Sequence, residues 1–182
     1  MTTSQNNIEK RKERQKQTAE VFTPNKLVNQ MLSKLPKEVW KKGKTFCDPS
    51  CGNGQFIIWI LIRKIQRNHK PLEALKTIYG ADIMKDNILE CRMRLLKIVS
   101  IFEDITEEHI KTVFQNIVWI NINKHPTGSL EYDFSFKNKI SQNDVDRWMK
   151  NIHKDNILDE VELPVAEETF TREGSLRDLF EE

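Results

Sequence analysis

The residues of this sequence best suited to chemistry lie in a short loop, Asp48–Phe56, with the letters D-P-S-C-G-N-G-Q-F. Gly52 and Gly54 have no side chain, so a ligand can approach the backbone closely there. Glycine can also adopt backbone dihedral angles that other residues avoid. Asp48 supplies an anionic acceptor for a ligand's ammonium group. Because the loop contains no Lys and no G-x-G-x-x-G pattern, a cationic ligand suits it better than a pyrophosphate. On the two glycines alone, a tight turn without a ligand is an equally good interpretation.

A second candidate residue, Asp82, ends a later apolar segment, 77–82. A carboxylate in this position can accept hydrogen bonds from both hydroxyls of a ribose, as in nucleotide-binding βαβ units. Ligands of open α/β sheets bind outside the carboxyl ends of the strands. We therefore expect Asp82 and the loop after Asp48 to lie at one edge of a parallel sheet.

The pattern of apolar residues predicts the elements that position these side chains. Strands are predicted at 44–47, 77–82 and 116–120, and helices at about 25–35, 54–66, 84–99 and 103–114. Alternating strands and helices are typical of a parallel sheet with helical crossovers. Thr23 is predicted to cap the first helix, with Pro24 in its first turn. Farther on, the pattern predicts a strand at 130–136 and a helix at 145–152.

Composition and charge bound the class of protein. The 182 residues are 38% hydrophobic, and the longest apolar run, Phe56–Ile62, has seven residues, whereas a membrane helix needs about 20. With three cysteines and no apolar N-terminal segment, we expect a cytoplasmic protein without a membrane partner. Residues 155–182 carry ten acidic and two basic residues, although the whole chain has a net charge of +2. A basic body with an acidic tail favours nucleic acid as a partner, or simply a solvated tail.

Other conspicuous residues have structural as well as functional interpretations. Cys47, Cys51 and Cys91 lack the additional ligands of a zinc site, so we predict no metal. The four histidines are predicted at the surface, and three tryptophans in the core: Trp40, Trp59 and Trp119. A set of basic residues is suited to phosphate contacts, or to a solvated helix face: Lys64, Arg67, Lys70, Lys85, Arg92, Arg94 and Lys97.

Three segments in order resemble motifs of the N6-adenine DNA methyltransferases. Phe46–Phe56 is similar to the S-adenosyl-L-methionine (AdoMet) motif, Val21–Pro24 to the segment that precedes it, and Tyr79–Ile83 to the second cofactor motif. The resemblance covers residues 20–121. It implies a Rossmann-like AdoMet-dependent methyltransferase fold, α/β, with an abbreviated parallel sheet flanked by helices. The domains would be a polar basic arm at 1–20, the AdoMet-binding domain at 21–137, and a C-terminal extension with the acidic tail at 138–182.

The resemblance also implies which residues bind the cofactor. They are Phe22, Thr23, Pro24, Asp48, Pro49, Gly52, Gly54, Phe56, Asp82 and Ile83. The first three would line the methionine end, and the glycine loop with Asp48 would surround the amino-acid moiety. Phe56 would shield the ligand, Asp82 would hold the ribose hydroxyls, and Ile83 would pack on the adenine.

The catalytic motif of that family, Asp/Asn/Ser-Pro-Pro followed by an aromatic residue, is missing. After Asp82 the chain has only Pro126 and Pro164, and it contains no Pro-Pro pair. The catalytic residues are therefore unknown, with Asn121, Tyr132, Asp133, Phe134 and Phe136 as weak candidates. Two function classes stay open. The chain acts in DNA adenine methylation, with a second chain or self-association covering an open sheet edge, or it is a catalytically inactive AdoMet- or DNA-binding regulatory module.

Overall fold

The computed structural model describes residues 23–120, 140–154 and 156–163, which form three strands with helices around them. The strands are β1 (Phe46–Asp48), β2 (Ile78–Asp82) and β3 (Ile117–Trp119). The helices are α1 (Asn25–Ser33), α2 (Gln55–Gln66), α3 (Pro71–Leu75), α4 (Lys85–Phe102), α5 (Glu107–Asn116) and α6 (Gln142–Lys154). A short 3-10 helix spans Lys37–Trp40.

The strands form one parallel sheet in the order β1-β2-β3. Phe46 stands opposite Ile78 in the first pair, and Gly80 stands opposite Ile117 in the second. Because parallel neighbours need crossover connections, α2 and α3 join β1 to β2, while α4 and α5 join β2 to β3. The predicted α/β class, a short parallel sheet flanked by helices, is confirmed.

Helix α2 lies at the centre of the core because it is apolar around most of its circumference. Four of its side chains are at most 1% exposed: Ile57, Ile58, Leu61 and Ile62. The helix contacts α1, α3 and α4 as well as β1 and β2. Full burial of one such side chain contributes about 1.5–3 kcal/mol to the free energy of unfolding. Helix α2 therefore supplies much of the stability of the edge of the sheet at which the helix begins.

A glycine in β2 permits the closest approach between α2 and the sheet. A Cβ atom on Gly80 would lie 2.3 Å from Ile57 Cδ1 and 3.2 Å from Cys51 Sγ. Carbon atoms at optimal contact are about 3.5–4.0 Å apart. Gly80 is therefore favoured by packing, because the Ile57 side chain would have to move if a Cβ atom were added.

Helix α6 belongs to the same core. Val145 is fully buried, and the Trp148 ring meets Phe114 of α5 edge to face, with 5.3 Å between the ring centroids. The prediction of a helix at 145–152 is confirmed, and the helix is longer at both ends.

The start of α5 depends on a buried histidine, which contradicts the prediction that every histidine lies at the surface. His109 Nδ1 is 2.9 Å from Thr106 Oγ1 and accepts the Thr106 backbone N–H, forming a capping box. His109 Nε2 lies 2.7 Å from Glu103 Oε1. His69 is also buried, with Nε2 2.9 Å from the Trp40 carbonyl oxygen. These hydrogen-bond partners offset the free-energy cost of burying the two imidazole rings. Both histidines are therefore buried although their neighbours in sequence are polar.

Other sequence predictions are wrong in detail. Helix α5 begins at Glu107 rather than at residue 103, and the sequence pattern does not predict α3. Trp119 is 55% exposed because it ends a three-residue strand, whereas Trp40 and Trp59 are buried as predicted. The strand predicted at 130–136 lies outside the described residues. Across the described ranges, every helix is too short or too polar to cross a bilayer.

The tight contact at Gly80 leads to a stability prediction. We expect Gly80→Ala to lower the free energy of unfolding by about 1–3 kcal/mol, because the added methyl group overpacks the core. Ile57→Val removes the Cδ1 atom that the methyl group would meet. The double variant should therefore lose less stability than the two single variants together, as measured by urea unfolding.

Ile58→Val is the matched control for this cycle. It deletes the same atom from an equally buried neighbour in α2 that is not among the nearest contacts of Gly80. Its effect should add to that of Gly80→Ala. Equal additivity in both cycles would show that Ile57 does not restrict Gly80.

Candidate functional site

The loop between β1 and α2 is a tight turn held against β2. The Cys51 backbone N–H donates to the Ala81 carbonyl at 2.9 Å, and the Gly54 N–H donates to the Cys51 carbonyl at 2.9 Å. Gly52 has φ +52° and Gly54 has φ +92°, both in the left-handed region. The prediction that these glycines adopt dihedral angles disfavoured for other residues is confirmed.

Asp82 connects this loop to the next helix. Its Oδ2 accepts the Gly52 backbone N–H at 3.0 Å, and its Oδ1 accepts the Met84 N–H at 2.7 Å. Asn87 Nδ2 lies 3.5 Å from the same Oδ1. An ionised carboxylate offers about four lone-pair sites. Asp82 can therefore hold the loop and still accept hydrogen bonds from a ligand.

Asp48 ends β1 beside Asp82, so two carboxylates share one edge of the sheet. Asp48 Oδ1 accepts the Ser50 backbone N–H at 3.1 Å. Burial raises the pKa of Asp48, the Ser50 hydrogen bond partly offsets this, and the negative charge of Asp82 raises the pKa further. A positively charged ligand group placed here would lower this electrostatic cost.

Beneath the loop, two thiols provide packing rather than reactivity. A Cβ atom on Gly54 would lie 2.6 Å from Cys91 Sγ, so this glycine also permits α2 to approach α4. Cys51 and Cys91 are free and buried, and the Cys91 thiol together with burial raises the pKa of Cys51. Buried neutral thiols behave as small apolar groups. Cys47 is exposed on β1. The described residues contain no group of three or more His, Cys, Asp or Glu arranged for a metal ion.

A charged network that the sequence analysis missed ties the loop to α4. Asn53 is 2% exposed and donates from Nδ2 to Glu90 Oε1 at 3.0 Å. Arg94 Nη2 pairs with the same oxygen at 2.7 Å, and Arg94 Nη1 lies 3.4 Å from the Asn53 carbonyl. The assignment of Arg94 to a basic surface is therefore wrong, because its side chain is 6% exposed and supports the loop. Only the i,i+4 spacing of Glu90 and Arg94 was visible in the sequence.

An exposed apolar surface borders the carboxylates. Ile83, directly after Asp82, is 59% exposed, and Trp119 lies beside it at the end of β3. Trp119 Nε1 donates to the Ile83 carbonyl at 2.9 Å, so the indole orients this backbone. Lys85 Nζ is 5.7 Å from the centre of the Trp119 ring. Ile83 and Trp119 together form an exposed apolar surface next to polar acceptors, an arrangement typical of ligand sites.

The remaining candidate residues lie in two places. Pro24, rather than Thr23, caps α1, since the backbone N–H groups of Leu27 and Val28 donate to its carbonyl at 2.9 and 3.0 Å. The prediction of a Thr23 side-chain cap is wrong, because no side-chain hydrogen bond forms there. Phe22 lies outside the described residues. The other place is the loop between β1 and α2. Pro49 directly follows β1, and the half-buried Phe56, in the first turn of α2, packs partly against the core.

Comparisons with known proteins show the family of the chain. The family model described as N-6 DNA Methylase matches residues 8–155, most of the chain. Over 87 residues the chain is 34% identical to the Type II methyltransferase M.VspI of Vibrio sp. (strain 343), a match that covers 48% of this chain and 19% of that protein. The chain thus spans about a fifth of the length of this relative, and no solved structure matches it. The extent of the family match shows that this chain belongs to the N-6 DNA methylase family.

Proposed function

We propose that this chain is the S-adenosyl-L-methionine-binding part of a DNA adenine N6-methyltransferase. Membership of the family implies a methyl donor and DNA as the methylated substrate. The observation that carries the proposal is the pair of carboxylates at the carboxyl ends of β1 and β2, with the glycine loop between them. This arrangement suits a ligand that combines a cationic amino acid with a ribose.

The residues at this edge match the chemical parts of the donor. Asp48 accepts a hydrogen bond from the ammonium group of the amino-acid moiety, whose positive charge offsets the burial and the repulsion from Asp82 that raise the pKa of Asp48. Asp82 uses its remaining lone pairs for the ribose hydroxyls. The exposed side chain of Ile83 packs on the adenine. The other proposed contacts are Phe22, Thr23 and Pro24 at the methionine end, Pro49, Gly52 and Gly54 along the loop, and Phe56 as a shield. When bound, the donor supplies the methyl group.

We propose that the catalytic group comes from outside this chain. The chain contains no Pro-Pro pair, and the family's catalytic motif presents its target-binding side chain through that pair. No described strand covers the free edge of β1, where a partner chain or a second copy would pair with it. We also propose the division into an arm at 1–20, the donor domain at 21–137 and an extension at 138–182, and a cytoplasmic location. The absent motif equally supports a second candidate, a catalytically inactive AdoMet- or DNA-binding regulatory module.

If the function of Asp48 is to bind a ligand, its carboxylate should lower the stability of the ligand-free protein. Its native pKa is raised, so the native state binds more protons than the unfolded state in the carboxyl range. The free energy of unfolding therefore falls as pH rises through that range, and the full cost is present at neutral pH. We expect Asp48→Asn to raise the urea midpoint at neutral pH, with a smaller gain below about pH 4.

Asp104→Asn is the control for this experiment. Asp104 is an exposed carboxylate between α4 and α5, so its replacement should leave the urea midpoint nearly unchanged. An Asp48→Asn protein that unfolds more easily than wild type at neutral pH would contradict the proposed electrostatic cost.

The same variant tests donor binding. We expect titration calorimetry to give a dissociation constant for AdoMet in the micromolar range, about −8 kcal/mol. Loss of a hydrogen bond to a charged group costs about 1.5–3 kcal/mol, so Asp48→Asn should weaken binding by roughly 10- to 100-fold. Asp82→Ala should also bind AdoMet more weakly. This variant additionally removes the hydrogen bond to the Gly52 backbone N–H, so its effect is not confined to the ligand contact. No heat with wild type, or unchanged affinity in Asp48→Asn, would refute the site, and Asp104→Asn should bind like wild type.

The missing motif leads to a separate prediction about catalysis. The purified chain should not transfer tritium from methyl-labelled AdoMet to duplex DNA above a protein-free blank. Calorimetry on the same preparation shows that the donor site is intact. Transfer by this chain alone would demonstrate an unorthodox catalytic residue and overturn the proposed need for a partner.

A further inference from the structure

A concentration of positive charge lies at the edge of the sheet opposite the glycine loop. Residues 34–44 lead into the amino end of β1, and residues 63–70 comprise the last turn of α2 and the segment after it. Together these two segments carry nine Lys and Arg residues and one Glu. We call them the basic cluster. Its members are Lys34, Lys37, Lys41, Lys42, Lys44, Arg63, Lys64, Arg67 and Lys70.

Direct contacts make the two segments one surface. The Arg67 guanidinium lies 4.8 Å from the centre of the Trp40 ring, and Arg63 lies 6.0 Å from it. Lys64 is fully buried and donates from Nζ to the Lys44 carbonyl at 2.7 Å. Lys64 is thus a structural residue, and its assignment to a basic surface is wrong. The Lys64 side chain supports segment 34–44, which carries the exposed lysines.

The exposed members of the basic cluster are not neutralised by the rest of the described chain. Elsewhere, Lys76 pairs with Glu108 at 2.9 Å, and Lys111 pairs with Glu107 at 2.8 Å. Within the described ranges, no such ion pair forms at the exposed cations of the cluster, which are Lys34, Lys37, Lys41, Lys42, Lys44, Arg67 and Lys70.

The charges of the basic cluster act on one another instead. Burial lowers the pKa of Arg63, and the charge of Arg67 lowers it further. Burial is again the main effect that lowers the pKa of His69, the hydrogen bond to the Trp40 carbonyl partly offsets it, and the nearby charges of Lys64, Lys42 and Arg67 lower the pKa further. Like charges held this close destabilise one another unless an anion binds between or over them.

We propose that the basic cluster binds the phosphate backbone of DNA, on a segment other than the one presented to the donor site. The cluster offers mainly charge, because Trp40 is 4% exposed and cannot stack on a base, and Leu35 is the one exposed large apolar side chain in its two segments. An acidic protein partner would normally need apolar anchors in pockets as well as charge. Duplex DNA carries one negative charge per about 1.7 Å of axis and is bound through charge alone, without sequence preference. The proposal relies on the DNA substrate of the family and not on the donor site.

The experiment measures the binding of the 182-residue chain to a short fluorescent duplex by anisotropy, across roughly 50 to 200 mM salt. The variant replaces three exposed lysines together, Lys41→Gln, Lys42→Gln and Lys44→Gln. Each lysine that no longer neutralises a phosphate should reduce the slope of log affinity against log salt by about 0.9. We expect a slope smaller by about 2 to 3 and an affinity at low salt lower by at least roughly tenfold.

The control changes the same net charge at exposed lysines outside the basic cluster, with Lys26→Gln, Lys150→Gln and Lys154→Gln. It should bind DNA nearly as well as wild type. Equal losses in both triple variants, or an unchanged slope in the cluster variant, would overturn the proposal. So would a polyglutamate peptide that binds the cluster while DNA does not. Urea unfolding checks that both variants fold, and AdoMet calorimetry should be unchanged in them, which separates failure here from failure of the donor site.

Discussion

The hydrogen bond from the Gly52 backbone N–H to the Asp82 carboxylate, at 3.0 Å, is the interaction on which the candidate site depends. It joins the loop after β1 to the end of β2, two places 30 residues apart in the chain. The same carboxylate accepts the Met84 N–H at the start of α4. Charge-assisted bonds of this kind are roughly twice as strong as neutral ones. One side chain therefore sets the relative positions of the loop, the strand and the following helix.

That dependence has an electrostatic consequence for the neighbouring strand. Asp82 is held in place by two backbone N–H groups, and Asp48 at the end of β1 experiences burial and, in addition, the negative charge of Asp82. A stable fold alone would favour a neutral residue at one of these positions. The loop adds backbone amides and glycines but no cation of its own. Its hydrogen bonds explain Asp82, whereas Asp48 is better explained by a cationic ligand than by folding, which is the physical basis of the proposed donor site.

Sequence reasoning predicted the features that repeat locally and missed those that depend on distant partners. The three strands follow from short apolar segments, and Asp48 and Asp82 were expected to be neighbours because carboxyl ends of parallel strands meet at one edge. The support of Asn53 by Glu90 joins residues 37 positions apart, and no local pattern reports such a contact. His109 was misplaced for a different reason, since its partners Thr106 and Glu103 are near in sequence, but histidine replaces the Glu or Gln of the usual capping box.

The sheet separates two regions of opposite charge that would otherwise weaken each other. The carboxylates of Asp48 and Asp82 lie at its carboxyl edge, and the basic cluster lies at its amino edge. Lys44 precedes Asp48 by four residues along the chain that forms β1, so the edges are about 13 Å apart at about 3.3 Å per residue. That exceeds the Debye length of roughly 8 Å at physiological salt, and unit charges at this distance in water interact by only about 0.3 kcal/mol. A cationic donor at one edge and a polyanion at the other can therefore bind independently. The strands hold the two edges far enough apart for salt to screen the charges at one edge from those at the other.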